Sequence, residues 1–206
     1  MMQVNIIPYT LLFKQPAGTS RGVYTTRKVW YVVLASQDKT IQGIVECAPL
    51  PNLSCDDCPD YESILNDACS KLRETGEIDY DSLRSFPSIL FGLESALLHY
   101  KCGSYSFWNT SFSRGEKGIP INGLIWMGNT ESMQKQIADK LEAGFRCIKL
   151  KIGALNFEEE LKVLRSIRSN YSKEELMLRV DANGAFSPGE AMDKLNRLAE
   201  LEIHSI

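Results

Sequence analysis

No apolar run in this 206-residue sequence is long enough to cross a bilayer. The longest clean one covers only residues 29–35, where a spanning helix needs about 20. The amino terminus, Met-Met-Gln-Val-Asn, has neither the charged segment nor the apolar segment of a secretory signal, so export is not expected. Basic residues form no long run and the net charge is −3, which favours neither nucleic acid nor an anionic membrane surface. No G-x-G-x-x-G or P-loop follows an apolar run, which weakens a nucleotide-binding reading. Histidine is scarce: His99 and His204 are the two present. The one C-x-x-C, Cys55-Asp-Asp-Cys58, has no second such pair with which to close a zinc centre. The remaining cysteines are Cys47, Cys69, Cys102 and Cys147. All six read as free thiols of a reducing cytoplasm.

What is present is an ordinary globular composition, 44% hydrophobic and 24% charged, on a chain long enough for one or two domains. Residues 2–13 are expected to form a strand, with Pro8 marking an edge or a bulge. The polar stretch 14–22 reads as a loop. Strands over 23–36 and 40–48 complete an antiparallel meander, since Val, Thr, Trp and Tyr favour extended backbone. A Pro-rich loop leads to helices over 60–74 and 87–100, each with apolar residues at helical spacing. A Ser- and Gly-rich connector, 104–118, marks a boundary.

Beyond the connector the pattern becomes strictly alternating. Strands are expected at 119–126, 146–151 and 176–181, helices at 130–143, 156–170 and 187–201, and a further strand begins at 203. Thr130 and Ser187 are the expected N-caps, and Gly144 closes the first of these helices. Strand–helix alternation with short loops implies a parallel sheet, either doubly wound or closed into a barrel.

Four groups of residues could carry chemistry. Lys149 and Lys151 sit two apart in an apolar run, so on a strand they share a face. Two ammonium groups in one space disfavour each other's charge, which is how an amine becomes a base near neutral pH. An exposed edge strand with solvated lysines fits the same spacing, and on pattern alone neither reading wins. Asp181 ends the next strand. It could hold a hard divalent cation or simply cap the strand end as an Asx-turn. Thr19, Ser20 and Arg21 could contact an anionic substrate or belong to a plain solvated loop. Glu46, near a strand end, could line a pocket, although a structural use is the simpler reading.

These motifs together resemble the enolase superfamily, in its muconate-lactonising branch. Lys149-Leu-Lys151 resembles that family's catalytic pair on the second barrel strand. Asp181-Ala-Asn183-Gly resembles its first metal ligand on the third strand. Phe91-Gly-Leu-Glu-Ser-Ala-Leu resembles the helix that precedes its barrel. Within the family, Glu46-Cys-Ala-Pro-Leu-Pro-Asn-Leu-Ser and Ile121-Asn-Gly-Leu-Ile-Trp-Met-Gly are most similar to the o-succinylbenzoate synthase subfamily, dehydratases of menaquinone biosynthesis. The resemblance covers essentially the whole sequence.

The resemblance implies an α/β fold: an α+β capping domain over residues 1–112, then the first half of a (β/α) TIM-like barrel over 113–206. It implies Mg²⁺ or Mn²⁺ as cofactor, part-held by Asp181, and a small-molecule carboxylate as substrate. Lys151 would be the base and Lys149 its partner, with Thr19, Ser20, Arg21 and Asn183 on the substrate side. Nucleic acid and membrane are not implied, and a homo-oligomer is compatible. Dipeptide epimerases, N-acylamino-acid racemases and muconate cycloisomerases use the same lysines and are the alternatives. The family's barrel has eight strands, while the sequence reaches only the start of the fourth. The expectation is therefore a fragment of a longer parent, inactive alone and lacking the later metal ligands and the far-side lysine.

Overall fold

The computed structural model describes residues 2–19, 22–126, 128–153 and 155–206, with backbone only at 18 and 19. Two compact units divide near Ile119 and Pro120, and each has its own apolar core.

The first unit opens with three strands, β1 (Gln3–Thr19), β2 (Gly22–Ala35) and β3 (Gln42–Cys47), in the sheet order β1-β2-β3. β2 and β3 pair antiparallel from Trp30 opposite Cys47 to Ala35 opposite Gln42. Pro8 lies on β1 at the margin of this sheet, where a missing N–H is tolerated. The expected loop over 14–22 is corrected: strand continues to Thr19 and resumes at Gly22. Most of the described side chains in this stretch are exposed. A ribbon wetted on both faces has no apolar alternation, so its polar composition imitates a loop. The third strand likewise starts at Gln42 rather than residue 40.

Helices α1 (Tyr61–Thr75), α2 (Tyr80–Leu83) and α3 (Pro87–Cys102) follow. Leu65, Cys69 and Leu72 of α1 and Ile89, Leu93 and Ala96 of α3 pack with Trp30, Val32 and Leu34 of β2. Close contact between α3 and β3 requires glycine twice. A side chain at Gly43 would collide with the Ala96 carbonyl, and one at Gly92 with Cys47 Sγ. All six cysteines are free thiols. Between Cys55 and Cys58, buried Asp56 accepts hydrogen bonds from the Ser88 N–H (2.8 Å) and hydroxyl (2.6 Å). It therefore caps α3, whose own N-cap, Phe86, offers no side-chain acceptor.

The second unit alternates β4 (Gly123–Ile125), α4 (Thr130–Glu142), β5 (Cys147–Lys151), α5 (Phe157–Asn170), β6 (Met177–Asp181) and α6 (Pro188–Ala199). Its strands are parallel and ordered β4-β5-β6. A fourth begins where Ser205 bridges Arg179: Val180 N–H donates to Ser205 O (3.0 Å) and His204 N–H to Leu178 O (2.8 Å). Ile125, Ile148, Leu150, Leu178 and Val180 bury one sheet face against Met133, Ile137, Leu161, Leu164, Ile167 and Leu198 of the helices. Continuous apolar strands under amphipathic helices are the expected cover of a parallel sheet.

Two local expectations are corrected and a third is borne out. β4 does not start at residue 119, because Pro120 has no N–H to give a ladder and Ile119 and Ile121 stay exposed. The N-cap of α4 is Asn129, not Thr130: its side chain accepts from Ser132 N–H at 2.8 Å. Ser187 stands at the N-cap of α6 as expected, its carbonyl accepting the first intrahelical bond from Ala191 N–H at 2.9 Å, with no side-chain cap hydrogen bond.

Candidate active site

Parallel register places the chemistry-bearing side chains in two rows across the second sheet. Leu124, Lys149 and Arg179 are aligned, and so are Lys151 and Asp181. Trp126 follows directly on the last β4–β5 pair, Ile125 opposite Leu150. Side chains alternate along a strand. With Ile148, Leu150 and Val180 turned into the helix-covered core, Lys149, Lys151, Arg179 and Asp181 share the opposite face.

Lys149 Nζ lies 2.7 Å from Asp181 Oδ2, with both side chains about 30% exposed (30% and 29%). The other carboxylate oxygen accepts the Asn183 N–H at 3.0 Å. The hydrogen bond from Lys149 is the main reason that the Asp181 carboxyl sits below its ordinary range. The Asn183 N–H and the charges of Lys149 and Lys151 act the same way, against partial burial. One oxygen of Asp181 thus makes the expected Asx-turn with the Asn183 N–H, while the other meets the Lys149 ammonium group. Asn183 adopts a left-handed φ of 48°, a conformation that asparagine tolerates.

Lys151 Nζ stands 4.9 Å from the centre of the Trp126 ring. The Trp126 backbone is held from α4 by Gln136. Its N–H donates to Gln136 Oε1 at 2.9 Å, and Gln136 Nε2 donates to its carbonyl at 3.4 Å. Arg179 donates from Nε to Ser205 Oγ (3.1 Å) and from a terminal nitrogen to Asn122 Oδ1 (3.4 Å). The loop after β5 is fastened by buried Glu160, which accepts from the N–H groups of Gly153 (2.7 Å) and Leu155 (3.1 Å). At Gly153, where φ is 93°, an added Cβ would meet Ala185 Cβ at 2.5 Å. The loops following β5 and β6 therefore pack together and keep the two strand ends aligned.

Three cations, Lys149, Lys151 and Arg179, share this face with one carboxylate, which makes it receptive to an anion such as a substrate carboxylate. The same arrangement tests the metal. A divalent cation of the Mg²⁺ type takes about six oxygen ligands, and Asp181 is a single carboxylate already paired with Lys149. Among the described residues no group of three or more His, Cys, Asp or Glu could hold a metal. The residues on this face do not by themselves fit a metal centre.

The structure brings Lys149, Lys151 and Asp181 together, with Asn183 adjoining. Thr19 closes β1, whereas Ser20 and Arg21 lie outside the described residues. Glu46 is half-buried on β3 opposite Tyr31, a structural position. Arg179 and Trp126 were not foreseen. For Arg179 the signal was the same alternation that exposed the lysines, since it lies two residues before Asp181 on one strand.

Residues 132–206 match the family model described as "Enolase C-terminal domain-like". The chain is 40% identical over 231 aligned positions to the o-succinylbenzoate synthase of Desulfotalea psychrophila, an alignment covering 95% of this chain and 61% of that protein. Residues 132–206 thus carry the pattern of the enolase C-terminal domain-like family, and the chain as a whole is similar to o-succinylbenzoate synthases of the enolase superfamily. It spans under two thirds of the length of this superfamily relative. A crystal structure of MenC from Desulfotalea psychrophila matches at a TM-score of 0.74 and 32% identity, covering 100% of this chain and 63% of that one. The o-succinylbenzoate synthase of Thermosynechococcus elongatus, solved with Mg in its active site, matches at 0.61 and 24% identity, covering 97% and 57%. The fold is accordingly an α+β unit followed by β/α repeats like those that open an enolase-superfamily barrel, and the Lys151–Asp181 row of the site stands at the carboxyl ends of β5 and β6. That end is where barrel enzymes place their chemistry.

Proposed function

We propose that this chain is part of an o-succinylbenzoate synthase, a carbon–oxygen lyase of menaquinone biosynthesis working in the cytoplasm. The observation that carries the reading is the Lys149–Asp181 pair with Lys151 beside it at the ends of adjacent parallel strands. The 40% identity to a protein of that name supports it. In this reading residues 1–112 form the capping domain and 113–206 the first half of the barrel.

The chemistry follows from the side chains. A proton α to a carboxylate is only weakly acidic, so its removal requires a positioned base and cations facing the charge that develops. Neutral Lys151 takes that proton. The carbanionic charge spreads into the substrate carboxylate, opposite the cationic face that Lys149 and Arg179 supply. Lys151, now an ammonium group, returns a proton to the departing hydroxyl, which leaves as water. One C–H and one C–O bond break and a C=C bond forms. Thr19, Ser20, Arg21 and Asn183 are the proposed substrate-contacting residues. The expected cofactor is Mg²⁺ or Mn²⁺, with Asp181 as one of several ligands in the intact protein.

A second reading is that these 206 residues are catalytically silent on their own, and the single carboxylate on the cationic face favours it. The test is to supply the intact protein and the 206-residue chain, each with Mg²⁺, with the hydrated precursor of o-succinylbenzoate and to follow aromatic product by absorbance. Product from the intact protein and none from the chain alone is expected. Epimerisation of L-Ala-L-Glu in deuterated solvent, with no o-succinylbenzoate formed, would replace the dehydratase reading by the epimerase alternative.

A further inference from the structure

We propose that Trp126 is a positioning residue for Lys151: its indole face holds the ammonium end of Lys151 at the carboxyl end of β5, and Gln136 holds Trp126. The inference rests on the reading of Lys151 as the base.

Lysine carries four rotatable bonds and a compact charge, so it does not stay in one place unless something holds it. Lys149 is held by an ion pair to Asp181. Lys151 aligns with the same carboxylate in register, but Lys149 takes one of its oxygens and the Asn183 N–H the other. The contact described for the Lys151 ammonium is the Trp126 ring, 4.9 Å away. That is within the reach of a cation–π interaction, for which indole is the best partner. An aromatic face has a further advantage over a second carboxylate. It attracts the ammonium form without accepting a conventional hydrogen bond from it, so the N–H groups, and after deprotonation the lone pair, stay available to the substrate.

The ring is itself fixed. Trp126 lies just beyond β4, where the ladder to β5 has ended at Ile125 opposite Leu150. Gln136 takes over that role, pairing with both the N–H and the carbonyl of Trp126 as a neighbouring strand would. The Gln136 amide is placed by α4, which Asn129 caps and which Met133 and Ile137 anchor in the core. A chain of fixed contacts thus runs from the core through Gln136 and Trp126 to Lys151. At 40% exposure, the ring also remains open on one side, where a substrate can approach.

The test uses the intact protein. With 5-fluorotryptophan at its tryptophan positions, the Trp126 fluorine resonance is assigned by its loss in Trp126→Phe. Lys151→Met is expected to shift that resonance, and Lys149→Met to leave it nearly unchanged. A resonance insensitive to Lys151→Met overturns the proposal, whatever the activity shows. In the dehydration assay Trp126→Ala is expected to lower kcat about tenfold to a hundredfold, the scale of a misplaced catalytic group, with KM little changed. Trp126→Phe is expected to recover much of the loss. If Lys151→Ala abolishes turnover while Trp126→Ala leaves kcat at the wild-type value, the positioning role is wrong and the base assignment stands. If Lys151→Ala retains turnover, the base assignment itself fails.

Discussion

Asp181 serves two partners at once, and this makes its protonation a stability question as well as a chemical one. Its carboxyl titrates below the ordinary 3.8, chiefly because Lys149 donates to it. A group with a lowered folded-state pKa adds stability above its unfolded value, and that stability is lost as pH falls through the folded one. Asp181→Asn should therefore remove part of the acid limb below about pH 4 in urea unfolding followed from pH 7 to pH 2.5. At neutral pH the cost should be about 1 kcal/mol, because Lys149 then faces Lys151 and Arg179 without a counter-charge. An acid limb identical to the wild type's would contradict the pairing. The thiols divide just as clearly. Burial pushes Cys47 and Cys69 up to about 12, while Cys55 and Cys102 are exposed. Since the thiolate is the reactive form, an aromatic disulfide reagent at pH 8 should modify Cys55 and Cys102 quickly. Cys47 and Cys69 should react only on unfolding, as peptide mapping of the labelled protein would show.

At the scale of elements, caps and close approaches decide more than propensity. Asn129→Ala should cost about 1 kcal/mol, the usual loss for a side-chain N-cap, and Thr130→Ala markedly less; urea midpoints of the two variants check this. Gly92→Ala should destabilise by about 1–3 kcal/mol, as overpacking does, because the new methyl group meets Cys47 Sγ. Pairing it with Cys47→Ala should recover part of that loss. These elements also show what a sequence can carry. β5, β6 and their covering helices were legible because a buried face imposes a period, 2 on a strand and 3.6 on a helix. The exposed end of the β1–β2 ribbon was not, because water on both faces imposes none. The cap of α4 was misplaced by one residue because Asn129 and Thr130 are both good caps, and only the hydrogen bond to Ser132 distinguishes them. Lys149, Lys151 and Asp181 stood out as charges at strand positions among apolar neighbours. Trp126 did not, because a tryptophan beside a strand reads equally well as core. Asp56 was hidden for another reason: it caps a helix that starts some 30 residues later, and no local pattern marks such a pairing.

At the scale of the whole molecule, the second unit supplies a cationic face and one carboxylate, and the superfamily relative extends well beyond the length that this chain covers. Calorimetric titration of these 206 residues with Mg²⁺ should show only weak binding, in the millimolar range or weaker, the regime of sites with few charged ligands. Micromolar affinity would mean that further ligands converge on Asp181. In the described residues no helix is long and apolar enough to cross a membrane. The central claim is that Lys151 removes the proton α to a carboxylate. It is tested most directly by kcat for o-succinylbenzoate formation by the intact protein with Lys151→Ala, its fold checked by circular dichroism. A fall of about 10²- to 10⁴-fold, the contribution of a positioned acid–base group, is predicted. A kcat within a few-fold of the wild type would contradict it.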